Sequence, residues 1–267
     1  MVTQTRELFY SSVGTTHCNT YDLPQVFFFT FRAKYNMRTI GLVGGTGWVS
    51  TIDYYRYFNE LVFAGTNGQS TAEVIINSVN YPAIARLTAA GKWDEIALIM
   101  QNAAVTLEQA GVACILLGAN TMHNVAPAVQ AAINIPLIHI AEETGKEIVK
   151  KGLKKVALLG TKYTMQMDFF KDKLSEQSIT TIIPQEEDIT IINDGIYKEL
   201  ALGIITPENK KAYLQVMNKL KEQGAEGIIL GCTEIPLLIK QADFDLPLFD
   251  TTFIHATAAV KFSLGDV

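Results

Sequence analysis

From Met37 onward, short continuous apolar runs alternate with longer stretches in which apolar residues recur every three or four positions. The runs at 39–43, 72–78, 113–117, 137–140, 155–159, 179–183, 227–230 and 248–249 predict strands buried on both faces. Segments such as "KWDEIALIMQNAAVTLEQAG" and "NKKAYLQVMNKLKEQG" have the helical period, and Gly111 and Gly224 stand where such helices end. Continuous apolar strands separated by helices imply βαβ units, hence an α/β fold with mostly parallel sheets flanked by helices.

The alternation occurs twice. "LEQAGVACILLGA" (107–119) aligns without a gap on "LKEQGAEGIILGC" (220–232), and "RTIGLVGGT" (38–46) resembles "KKVALLGT" (154–161). The expectation is two pseudo-symmetric domains, one of 37–140 plus 251–267 and the other of 141–250. Ligands of parallel α/β sheets bind beyond the carboxyl ends of strands. Two facing halves would then set residues 119 and 232 on opposite walls of one cleft. Parallel α/β proteins also share such local patterns without functional symmetry, so both readings stand at this point.

Composition narrows the classes. The chain has 267 residues, 48% hydrophobic and 18% charged, with a net charge of −5 and no basic cluster, which argues against a nucleic-acid partner. No apolar run reaches the roughly 18–20 residues of a membrane span. Three cysteines, Cys18, Cys114 and Cys232, show neither disulfide nor zinc spacing, so the default setting is reducing and cytoplasmic. Residues 1–36 lack strand or helix periodicity and do not read as a signal peptide. They are expected to be a poorly ordered N-terminal extension, with the fold beginning at Met37.

Candidate chemistry gathers at the strand ends. Cys232 follows Gly231 and precedes Thr233 and Glu234, where a strand feeds a helix. A thiol there is either an activated acid/base or a buried structural cysteine. Cys114, mid-strand among apolar residues, reads as structural. Asn120 and Thr121 occupy the matching place in the first half and can bind a carboxylate or an amino group. His123 is either an acid/base or a half-buried, helix-capping ring. Thr46 and Thr161, after the opening strands, are carboxylate donors or turn-formers. "VGGTGW" lacks the G-x-G-x-x-G dinucleotide spacing, and neither a phosphate loop nor a metal motif is present. No cofactor and no metal are expected.

Taken together, "IGLVGGTGWVSTIDYYRYFNE", "LLGANTMHNVA", "VALLGTKYTMQMDFF" and "GIILGCTEIPLLI" resemble the aspartate/glutamate racemase family, and the likeness runs from Met37 to the end of the chain. The resemblance implies two pseudo-symmetric α/β domains with the active site between them, and racemisation of a small amino acid without pyridoxal phosphate. It also implies a homodimer. Two thiols of the family face each other across the substrate α-carbon, one removing the proton and the other supplying one to the opposite face. By this resemblance the second thiol is Cys232, with Thr233 beside it as a substrate-binding residue, and Arg86 is the candidate for a side-chain carboxylate. The first thiol position holds Ala119, which has no proton to give, and a family lysine has no clear counterpart near 200–202. Three outcomes follow. Thr121, His123 or a held water serves the empty face of a racemase; a one-base decarboxylase or isomerase acts on a small carboxylic acid; or the site binds an amino acid without turning it over.

Overall fold

The computed structural model describes residues 37–265, and the extension expected over 1–36 lies outside the described residues. In the first half, the strands are β1 (Ile40–Gly44), β2 (Val74–Ser78) and β3 (Cys114–Leu117). Its helices are α1 (Trp48–Gly65), α2 (Tyr81–Ala89), α3 (Trp93–Gln109) and α4 (Ala126–Ala131), with a 3₁₀ turn at Thr121–Val125. Helix α5 (Ile140–Lys150) crosses to the second half. There β4 (Lys155–Gly160), β5 (Thr180–Ile182), β6 (Ile228–Gly231) and β7 (Leu248–Asp250) alternate with α6 (Lys162–Gln166), α7 (Asp168–Ser175), α8 (Glu186–Lys198), α9 (Pro207–Glu222) and α10 (Ile235–Leu238). Helix α11 (Thr251–Leu264) follows β7.

The sheets have orders β2-β1-β3 and β5-β4-β6-β7, and every registered strand pair is parallel. The first three strands of each half are therefore arranged alike, as the repeat predicts. Gly111 and Gly224 have positive φ just past α3 and α9, the backbone that ends a helix at glycine.

One expected strand is absent. Residues 137–140 contribute only a bridge between Leu137 and Ile115, held by the Ile115 amide donating to Pro136 O and the Ile138 amide donating to Ile115 O. His139 caps α5 by accepting from the Ala141 amide, so the extended segment ends after that single bridge. The second half shows the complete version. "LPLFD" (246–250) matches "IPLIH" (135–139), the Ile228 amide donates to Pro247 O, and Asp250 caps α11 by accepting from the Thr252 and Phe253 amides.

Side chains alternate across the strands and so feed a core on each face of each sheet. Ile40 and Leu42 pack with Tyr54 and Phe58 of α1 and with Ala256, Ala259 and Val260 of α11. Ile115 and Leu117 face α3 and α4. Val156 and Leu158 meet Ile140, Ala141 and Ile148 of α5, whereas Ala157 and Leu159 meet α8 and α9. Each half thus lends its last helix to the other: α5 leaves the first sheet to cover the second, and α11 leaves the second to cover the first. That exchange ties the two sheets together at the line where their strand ends meet.

Candidate active site

The first-half turn that reaches the cleft is built by glycine. Gly45 has φ +81°, and a Cβ there would lie 2.2 Å from Val79 O, so no side chain fits. The Gly45 amide donates to Thr51 Oγ1, and that hydroxyl donates to Gly47 O. This brings Thr46 and the first turn of α1 to the carboxyl end of the sheet. In the second half β4 and β6 approach so closely that a Cβ on Gly231 would stand 2.7 Å from Leu159 O. Cys232 therefore leaves the strand at a fixed place.

These ends open on one cavity of about 530 Å³. Thr46, Gly47 and Ser50 line it from the β1–α1 turn, Ala119, Asn120 and Thr121 from the end of β3. Thr161 to Tyr163 and Cys232 to Glu234 supply the second half, and α2 and α8 form the remaining walls. The structure thus brings together Thr46, Asn120, Thr121, Thr161, Cys232 and Thr233, with Ala119 among them.

The polar groups are ordered by mutual hydrogen bonds. Cys232 Sγ donates to Glu234 Oε2 at 2.9 Å, and Thr233 Oγ1 donates to the same oxygen at 2.7 Å. Ser50 Oγ shares a 2.6 Å bond with Thr233 Oγ1, linking α1 to the thiol's turn across the cleft. Thr121, Thr161 and Thr164 form a triangle of hydroxyls 3.0–3.2 Å apart, again joining the halves. Asn120 Nδ2 donates to Thr251 Oγ1, while Asn120 Oδ1 and Thr46 Oγ1 are buried without a partner. Thr161 also caps α6, so it does the work of a turn-former while lining the cavity.

Burial, and then the Glu234 carboxylate beside it, push the Cys232 thiol well above its ordinary value. At neutral pH it rests as a thiol aimed at a carboxylate. Its thiolate, once formed, is a stronger base than that of a free cysteine. Cys114 is pushed up to about 12 by burial within β3 and belongs to the core.

Two expected residues stand elsewhere. His123 is wholly buried, and both ring nitrogens are committed. The Ile140 amide donates to Nε2, so Nδ1 carries the proton and donates to Ala119 O. The ring holds the backbone under Ala119 and is not among the residues lining the cavity. Arg86 lies on α2 outside the face made by Tyr81, Ile84, Ala85 and Thr88; it is exposed and is not among the cavity's lining residues. Helical periodicity turns it away.

The Asp/Glu/Hydantoin racemase family model matches residues 43–259. The chain belongs to the Asp/Glu/Hydantoin racemase family. A candidate Asp/Glu racemase of Yersinia pestis is similar at 44% identity and a TM-score of 0.81, over 85% of this chain and 100% of that one. An aspartate racemase homologue from Pyrococcus horikoshii is similar at 36% identity and a TM-score of 0.76, over 85% and 99%. The broad specificity amino-acid racemase RacX of Bacillus subtilis is 27% identical over 232 residues, 85% of this chain and 98% of that protein. The racemase-family match includes both strand ends, so Ala119 and Cys232 lie within it.

Residue-by-residue reading of the sequence missed several groups. Glu234 was visible two residues after Cys232, but only the fold shows its carboxylate turned back onto the sulfur. Ser50 and Thr164 follow the two threonine turns by about one helical turn, a spacing that becomes informative only when the turns face each other. Tyr81 and Tyr197 come from helices following the outer strands, and no local pattern marks them as cavity residues.

Proposed function

We propose that the chain is a cofactor-independent amino-acid racemase in which Cys232, backed by Glu234, moves the α-proton on one face of the substrate. The observation that carries this is the 2.9 Å thiol–carboxylate contact at the wall of the cavity. The first turn of α1 contains no acidic residue and presents backbone N–H groups suited to the α-carboxylate. Thr46 Oγ1 adds a hydroxyl, and Asn120 Oδ1, an acceptor, suits the α-ammonium group.

The steps balance without another reactant. Glu234 takes the Sγ proton, and the resulting thiolate removes the α-proton to give an enediolate on the bound carboxylate. A water held between Ala119 and the Thr121 hydroxyl delivers a proton to the opposite face. The hydroxide left there is neutralised by the proton held on Glu234, through exchange with solvent. Run in reverse, Cys232 is the donor. Donor-poor chemistry at Ala119 also favours a second reading, a one-base decarboxylase or isomerase that needs a proton on one face only.

The domain boundaries at 37–140 plus 251–267 and 141–250 belong to this reading, supported by the exchange of α5 and α11. So does a homodimer, supported by an exposed apolar stripe of Trp48, Ile52, Tyr55 and Phe63 along α1; sedimentation velocity reads it directly. A cytoplasmic setting fits the free thiols Cys114 and Cys232 among the described residues.

Cys232→Ser tests the activity. Turnover should fall by at least the ~10²–10⁴ of a positioned acid/base while amino-acid affinity is kept. Full turnover in that variant would remove Cys232 from the mechanism, and affinity without turnover in the unaltered protein would make it a binder.

A further inference from the structure

The cavity's charge census bears on which amino acid it takes, given that it is an amino-acid site. Among its lining residues only Lys162 and Glu234 are charged. Glu234 is occupied by Cys232 and Thr233. Lys162 is an exposed side chain at the rim, 3.7 Å from Glu186. The fixed charges sum to zero, matching a zwitterion whose side chain is neutral.

The walls away from the strand ends tell the same story. Helix α2 offers Tyr81, Ile84 and Ala85, and the α8 side offers Ile196, Tyr197 and Ala201. These surfaces are mostly aliphatic and aromatic, and their polar groups, the phenol hydroxyls, Thr88 and Asn193, are all uncharged. A second carboxylate placed against them would lose water and find only the exposed rim cation Lys162, already near Glu186, to offset that loss, which is unfavourable unless closely paired. An aliphatic or aromatic side chain would instead bury apolar surface against them. A cavity of about 530 Å³ has room for such a group beyond the α-carbon substituents.

We infer that the substrate is an amino acid with an uncharged, largely apolar side chain, and that Ile84, Ala85, Ile196 and Tyr197 are the specificity-determining wall. The inference rests on the amino-acid-racemase reading, and binding and turnover separate the two. Titration calorimetry with both enantiomers of leucine, phenylalanine, aspartate, glutamate and lysine gives selectivity without turnover. Exchange of the α-proton in D₂O with the same compounds gives function.

Leucine or phenylalanine is expected to bind at least tenfold more tightly than aspartate, glutamate or lysine, and to exchange. The same selectivity without exchange would sustain the wall and sink the racemase reading. Exchange with aspartate or glutamate binding as well as leucine, or best binding by lysine, would overturn the wall and leave the racemase. Absence of binding by leucine and phenylalanine would overturn the inference outright. Ala85→Lys, on an accessible helix face, provides a second arm: it should shift the leucine-to-aspartate affinity ratio at least tenfold towards aspartate, and an unchanged ratio would count against this wall as the side-chain site.

Discussion

Ala119 and Cys232 are symmetry mates at the ends of β3 and β6, and the account assigns their chemical difference a kinetic cost. Replacing Ala119→Cys restores a proton-bearing group on the empty face. The structure gives reasons for the change to be tolerated. Ala119 is half-buried, lines open cavity space, and has its backbone held by the His123 Nδ1–H···O bond of 3.1 Å. The added sulfur enters that space and not the core, so no overpacking cost is expected. A positioned acid or base contributes roughly 10²–10⁴ in rate, equivalent to about 3–6 kcal/mol of barrier at ~1.4 kcal/mol per decade. The assay follows α-proton exchange in D₂O by NMR and enantiomer ratio by chiral chromatography, starting from each enantiomer separately. The unaltered protein should exchange one enantiomer faster than it inverts it. In Ala119→Cys the inversion rate should rise by about 10² or more, bringing inversion close to exchange. A folded variant with unchanged amino-acid affinity and unchanged inversion would refute the symmetric-face reasoning.

Further expectations concern the groups around that centre. Glu234→Gln keeps a hydrogen-bond acceptor for the thiol but removes the proton acceptor. Exchange should drop by about 10² at neutral pH and recover as pH climbs towards the thiol's value in the variant, which burial alone still raises, whereas an unchanged pH–rate profile would clear Glu234 of that role. A buried cluster of His123, His139 and His255, with ring centroids 4.7 and 5.4 Å apart, predicts acid sensitivity. His255 donates from Nε2 to Ile138 O and accepts from Tyr54 at Nδ1, and burial holds all three rings neutral, His139 down to about 3. A lowered histidine value means the unfolded chain binds more protons, so stability is full above about 6.5 and falls as pH drops below it. His139 alone costs about 2 kcal/mol between pH 6.5 and 5. Asp250, pushed up to about 6 by burial, acts with the opposite sign over part of that window, but one carboxylate opposes three rings. Urea denaturation at pH 7.5 and 5 should show the loss, smaller in His139→Asn, which retains a capping acceptor; equal stability at both pH values would contradict the neutral cluster.

Much of the architecture was legible because buried parallel strands and amphipathic helices leave strong patterns. β1, β3, β4 and β6 emerge at nearly their expected places, and Gly111 and Gly224 mark helix ends. The strand expected at 137–140 is reduced to one bridge because apolar content alone cannot register that the helix capped by His139 begins there. That Thr46, Asn120, Thr121, Thr161 and Cys232 line the cavity was legible because strand ends meet at the cleft in such folds, and Thr233 entered through the family resemblance. His123 and Arg86 could not be placed from sequence. Each sits within a turn or two of a true lining residue, and only the direction of its side chain separates it from the cavity. The Glu234–Cys232 and Ser50–Thr233 contacts depend on a close fit across the cleft that no linear pattern encodes.

The central claim is that Cys232 moves the α-proton on one face. The most direct measurement is α-deuterium incorporation from D₂O into each separate enantiomer of leucine and of aspartate, by the unaltered protein and by Cys232→Ser in parallel. The account predicts incorporation into one enantiomer that outruns inversion and disappears in Cys232→Ser. Equal incorporation into both enantiomers that survives the substitution would contradict it.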